Sequence, residues 1–225
     1  MPNSDGHFFQ AGFVENVRGR YLVGEFSIRK GATVMTSKIL AFSGSSRDGS
    51  YNAMLLDVAV AGAVAAGAEV DVLNLRSFEL PLFDADLEQA EGLPEGVRQL
   101  KAQMMAHQGF LIASPEYNGS ISPALKNAID WASRPNGSEP PLACFADKVA
   151  AICSASPGAF GGLRGLVHVR AILSNLKVLV LPDQVAVGEA HHAFHKEGGL
   201  KDEKLRQSVK ALGAKVAHVI AKLAV

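Results

Sequence analysis

The chain has 225 residues, of which 48% are hydrophobic, and a mean hydropathy of +0.14, which fits one domain, or one domain with an appendage, around a large core. Its 22 basic side chains balance 22 acidic ones, so it carries no basic footprint for nucleic acid and no polybasic anchor for a membrane. No apolar run approaches the roughly 18 residues of a membrane span, no signal peptide is expected, and the two cysteines, Cys144 and Cys153, make no disulfide framework and fit a reducing cytoplasm.

Residues 1–37 have no clear period. They hold four of the eleven Phe, at positions 8, 9, 13 and 26, and Arg18-Gly19-Arg20 and Arg29-Lys30-Gly31 interrupt any core pattern. Tyr21 to Ile28 reads as a weak strand. Residues 1–34 are therefore expected to be an N-terminal extension outside the core domain, 35–225, with an arm packed on a partner subunit as the competing reading.

From Ile39 the pattern is regular. A strand over Ile39–Ser43 precedes a helix from about Tyr51 to Ala66, which Gly67 ends. A second strand surrounds Val70 and Val72. Leu80 to Asp84 is a connection, because Pro81 forbids a central strand. A helix over Leu93–His107 opens near Pro94, and Gly109–Ser114 is the third strand. A helix runs from Pro123 through Ala132, and Lys148–Ser154 is the fourth strand. Leu163–Leu176 is a helix, Val178–Leu181 a fifth strand, and Asp202–Leu223 a last helix with an apolar stripe. Strands alternating with helices predict an α/β fold: a doubly wound, five-stranded parallel sheet of order 2-1-3-4-5 with helices on both faces. Ligands of such sheets lie beyond the carboxyl ends of the strands, at the switch between strands one and three.

Three loops fall at that edge. The first, Gly44 to Asn52, joins strand to helix, so its N–H groups and the helix dipole point at whatever lies above the sheet. Ser45, Ser46, Ser50 and Asn52 add donors and Arg47 a positive charge. GxxxxGK[ST] and GxGxxG are both missing. What remains suits one terminal phosphate held without a metal, although serine, asparagine and glycine also build ordinary turns. The second loop is Ser114 to Pro123 and the third Ser154 to Gly162. Both are rich in residues that let backbone approach a ligand closely.

Together the GSxRxxSxN and PEYNGS loops, the run Leu125-Lys126-Asn127-Ala128-Ile129-Asp130-Trp131 and the SPGxxGG loop resemble the NADPH-dependent FMN reductase family, which includes quinone, azo-dye and chromate reductases. The resemblance implies a flavodoxin-like fold, bound FMN and dimers that often pair into tetramers. It also implies hydride transfer from NADPH or NADH to FMN and then reduction of a quinone, azo compound, metal oxyanion or free flavin. Carried over residue by residue, it places the FMN phosphate at Ser45, Arg47, Ser50 and Asn52, with Ser46 supplying backbone. The isoalloxazine lies against Pro115, Glu116, Tyr117, Asn118 and Gly119, with Ser156 and Gly158 at its far side.

A flavin performs the hard chemistry itself, so no catalytic side chain is required. Glu116 and Tyr117 suit ring contact and subunit interface equally. Trp131 reads as core, and Cys153 as a buried apolar residue without a base. His191, His192 and His195 have a spacing that could hold a metal, but a loop role is favoured and no metal site is expected. No G-x-S-x-G elbow supports a hydrolase. The alternatives are a flavodoxin-type electron carrier, which would present an acidic face to protein partners, and a flavin-binding regulatory module.

Overall fold

The computed structural model describes residues 13–15, 21–23 and 36–224. The chain divides into two units, 1–34 and 35–225. In the first, β1 (Phe13–Glu15) and β2 (Tyr21–Val23) pair antiparallel. The expectation that residues 1–34 stand apart from the core, and its boundary at Met35, lie outside the described residues.

The second unit begins with β3 (Lys38–Ser43), α1 (Tyr51–Ala65), β4 (Glu69–Asn74), a 3-10 turn at Leu75–Phe78, α2 (Ala85–Glu91), α3 (Glu95–Ala106) and β5 (Gly109–Ala113). It continues with β6 (Glu116–Tyr117), β7 (Ser120–Ile121), α4 (Pro123–Ala132), β8 (Val149–Ala155), α5 (Leu163–Asn175), β9 (Leu179–Val187), α6 (Ala190–Ala193) and α7 (Glu203–Leu223). Five strands form one parallel sheet in the order β4-β3-β5-β8-β9. This is the predicted flavodoxin-like order.

Apolar runs without alternation become central strands because both sheet faces are covered. In β3, Ile39 and Ala41 pack with Leu55, Ala59, Val209 and Val216 of α1 and α7. Leu40 and Phe42 pack on the other side with Leu100, Leu125, Leu166 and Val169 of α3, α4 and α5. The α1–α7 crossing is backbone against backbone. A Cβ on Gly62 would lie 1.9 Å from the Lys210 carbonyl oxygen, and one on Gly213 would lie 1.9 Å from that of Ala59. Trp131 is fully buried, donates to the Pro81 carbonyl at 2.8 Å and meets Phe83 edge-on.

The fifth strand runs past its predicted end at Leu181 to Val187. Pro182 is tolerated because β9 is an edge strand and the register shifts between Ala150 and Ile152, so Pro182 sits in an irregular stretch that asks for no ladder hydrogen bond. The short helix α2 has no buried residue and starts on the Asp84 side chain, which accepts from the Asp86 and Leu87 N–H groups. Without an apolar stripe it has no periodic signal.

Candidate cofactor cleft

The loops after β3, β5 and β8 open on the same edge, at the switch between β3 and β5. The first is tied down at its root. Gly44 N–H donates to the Ala113 carbonyl at 2.9 Å, and the Ser122 hydroxyl donates to the Gly44 carbonyl at 2.5 Å. A Cβ on Gly44 would stand 3.0 Å from the Leu125 Cβ, so this close approach calls for glycine. Ser50 is the N-cap of α1. Its Oγ accepts from Asn52 N–H at 3.2 Å, which leaves its own proton to donate. Ser45 Oγ likewise takes a long contact from Arg47 N–H, 3.4 Å, and keeps its proton. Among the described residues nothing accepts from the N–H groups of Ser46, Tyr51 or Ala53. The Arg47 guanidinium stands 5.5 Å from the Tyr51 ring centre, and Tyr51 stacks on Phe194.

Asn52 is turned inward and 4% exposed. Its amide NH2 donates to the Ala155 carbonyl at 2.8 Å and its carbonyl accepts from Ala155 N–H at 2.9 Å. It therefore braces the first loop against the end of β8.

The second loop is a hairpin. Glu116 pairs with Ile121 and Tyr117 with Ser120. Asn118 and Gly119 turn the chain at φ of 52° and 81°, the left-handed pair that a two-residue hairpin requires. Asn-Gly is a strong sequence signal for this turn, and it would have identified the hairpin that the sequence reading took as plain loop. Ser122 then caps α4 through the Leu125 N–H.

The third loop is fixed to the end of β9: Ser156 N–H donates to the Val187 carbonyl at 3.0 Å and Ala190 N–H to that of Ser156 at 3.1 Å. Gly158 N–H donates to Ser156 Oγ at 3.2 Å.

These loops enclose a cleft of about 270 Å³ lined by Ser45, Arg47, Ser50, Asn52, Pro115, Glu116, Tyr117 and Ser156, with Tyr51, Ala155 and Pro157. Eight of the predicted site residues thus line one space. Ser46 lines a neighbouring cleft on the β4 side with Asp57 and Asn74. Asn118 and Gly119 form the hairpin tip, and Gly158 stands behind Ser156. Tyr51, Ala155 and Pro157 also line the space shared by those eight and were not among the expected site residues. Tyr51 is the first residue of α1, a position where a cleft-facing side chain could have been foreseen.

Glu116 is the one carboxylate among the residues that line the cleft, and it is engaged. Burial alone would raise the Glu116 carboxyl, but the Gly165 N–H and the Arg164 guanidinium hold it below the usual carboxylate range. Burial pushes the Cys153 thiol up to about 12, so it stays protonated. Among the described residues no three His, Cys, Asp or Glu side chains gather as a metal site. The donor set fits a flavin mononucleotide: hydroxyls, unengaged amides and one guanidinium at one end, and proline, hairpin backbone and serine at the other.

The NADPH-dependent FMN reductase family matches residues 37–192. An NAD(P)H-dependent FMN reductase of Pseudomonas aeruginosa is 40% identical over 173 residues, covering 76% of this chain and 89% of that protein. A probable NADPH:quinone oxidoreductase of Oryza sativa is 36% identical, covering 77% and 83%. The solved structure of a flavoenzyme NAD(P)H:acceptor oxidoreductase from Paracoccus denitrificans superposes with a TM-score of 0.70 at 27% identity, covering 83% of this chain and 98% of that one. The chain belongs to the NADPH-dependent FMN reductase family.

Proposed function

We propose that the protein is an FMN-dependent NAD(P)H oxidoreductase that reduces a quinone, with the FMN phosphate on the Ser45–Asn52 loop and the ring between Pro115–Gly119 and Ser156–Gly158. The observation that carries this reading is the convergence of eight residues from three separate loops on one cleft. FMN, when bound, takes a hydride equivalent from the nicotinamide and passes the electrons to the acceptor.

The protein's part is to bind, orient and exclude. Ser45, Ser50 and the unengaged amides of the first loop supply donors to phosphate oxygens, and Arg47 supplies charge. Asn52 holds that loop at a fixed distance from β8. The hairpin contributes Glu116 and Tyr117 to the lining of the cleft. The Glu116 carboxylate is engaged by Arg164 and by the Gly165 N–H.

The quinone acceptor is supported by the relatives that carry that name. A homodimer or homotetramer is supported by the exposed apolar side chains of Tyr117, Phe160, Leu163 and Val167 on the hairpin, the third loop and α5. The buried free thiols suit a cytoplasmic protein. No described helix is long and apolar enough to cross a membrane. Purified protein supplied with FMN should consume NADPH or NADH steadily when benzoquinone is added and only slowly without it. Absence of quinone-dependent consumption with either nicotinamide would refute the reading.

A further inference from the structure

We propose that Glu116 is a positioning residue that sets the spacing between the two walls of the cleft by capping helix α5 from the hairpin. The inference rests on the flavin reading of the cleft.

Helix α5 begins at Gly162, which has no side chain to satisfy the first N–H groups of the helix. Glu116, in the hairpin, fills that role. Its Oε2 accepts from Gly165 N–H at 3.1 Å, and its Oε1 accepts from Arg164 Nε at 2.8 Å, with Arg164 Nη2 at 2.5 Å. The Glu116 side chain is 7% exposed. The carboxylate sits at the positive end of a 13-residue helix, where negative charge is favoured.

Gly165 makes the approach possible. A Cβ on Gly165 would stand 3.3 Å from the Glu116 Cβ and 3.2 Å from the Ser120 carbonyl oxygen, whereas at Gly162 the group in the way of a Cβ is Ser154 Oγ, at 1.9 Å. A second strut lies one turn along, where Ser120 Oγ meets His168 Nδ1 at 2.9 Å. The hairpin is one wall of the cleft. The loop Ser156–Gly162, which runs directly into α5, is the other. Glu116 therefore joins wall to wall, and its carboxylate acts on the reaction through the backbone it holds.

A ring and a nicotinamide stacked between these walls demand a fixed spacing, and a displacement of about 1 Å can cost on the order of a hundredfold in rate. The phosphate end is held by other residues, so FMN affinity should depend little on Glu116. The test compares wild type, Glu116→Gln and Glu116→Ala in the full chain. Glu116→Gln keeps an acceptor oxygen for Gly165 and loses the ion pair and hydrogen bonds to Arg164, so it carries the test if Glu116→Ala does not fold.

The readouts are the FMN dissociation constant, kcat and KM at saturating FMN, and amide hydrogen exchange of the flavin-free protein. The expected result is an FMN constant within about threefold of wild type, kcat lower by roughly tenfold or more, and faster exchange confined to residues 116–121 and the first turn of α5. Three results would overturn the proposal. One is unchanged kcat with unchanged exchange. Another is a lower melting temperature while the folded, flavin-loaded fraction turns over like wild type. The third is a loss confined to FMN affinity, which would make Glu116 a direct ligand contact. Wild type that takes up no FMN would instead refute the function proposed for the cleft.

Discussion

Replacing Asn52 by alanine should destabilise the protein before any ligand is added. The side chain is buried and makes two hydrogen bonds to the backbone of one residue, Ala155, at 2.8 and 2.9 Å. Alanine would leave the Ala155 N–H and carbonyl without partners, at about 1–3 kcal/mol for each unsatisfied group. Ala155 lines the cleft, so water can reach it and the cost should fall toward the lower part of that range, about 2–4 kcal/mol in all. For a domain of this size that lowers Tm by about 4–16 °C. The assay is urea unfolding of flavin-free Asn52→Ala and wild type, because bound ligand would add its own stabilisation. The midpoint should fall with little change in slope. If the flavin-free variant unfolds like wild type and only the stabilisation by FMN is lost, Asn52 is a phosphate ligand and the brace is not what it contributes.

Other consequences can be checked separately. Arg47 is exposed, and its guanidinium makes a 3.4 Å contact with the Gly49 carbonyl and stands over the Tyr51 ring, 5.5 Å from its centre, so Arg47→Ala should change stability by less than about 0.5 kcal/mol. It should weaken FMN binding by about 1.5–3 kcal/mol, while turnover at saturating FMN stays near wild type. A slow enzyme with normal FMN affinity would place Arg47 at the nicotinamide or acceptor instead. Burial pushes the Cys153 thiol up to about 12 and raises that of Cys144, whereas thiols of an unfolded chain ionise near about 8.5. The folded state holds these protons longer, so their contribution to stability is complete below that value and is lost as pH rises from it toward 12. The urea midpoint should fall between pH 8 and 10, less steeply in Cys153→Ala, and a thiol reagent should label neither cysteine until the protein is unfolded; rapid labelling of the native protein would contradict this. A chain beginning at Met35 should fold, bind FMN and turn over, and aggregation or loss of flavin would show that residues 1–34 belong to the fold or to a subunit interface.

Periodicity in the sequence was enough for the sheet order and both helical layers, because a central parallel strand must be apolar on both faces and α7 repeats its apolar residues at helical spacing. It was also enough to bring Ser45, Arg47, Ser50, Pro115 and Ser156 to one edge, since those loops follow alternate crossovers of a predictable sheet. What it could not carry was the direction of side chains whose partners lie far along the chain. Asn52 finds Ala155 across 103 residues, and Glu116 finds Gly165 across 49. In sequence Asn52 reads as a phosphate donor and Glu116 equally as ring contact or interface residue, because polar residues in a glycine-rich loop satisfy each pattern equally well. The continuation of β9 past Pro182 depends on its place at the sheet edge, which is a property of the assembled sheet rather than of the segment.

The central claim is that this cleft holds FMN by its phosphate for NAD(P)H-dependent reduction. It is tested most directly by a visible-absorption titration of the flavin-free protein with FMN, in parallel with riboflavin, followed by anaerobic NADPH or NADH. The account predicts one FMN bound per chain, riboflavin bound at least about tenfold more weakly for want of the charge-assisted phosphate contacts, and loss of the flavin colour with nicotinamide that benzoquinone restores. No uptake of FMN, riboflavin bound as tightly as FMN, or a bound flavin untouched by both nicotinamides would contradict it.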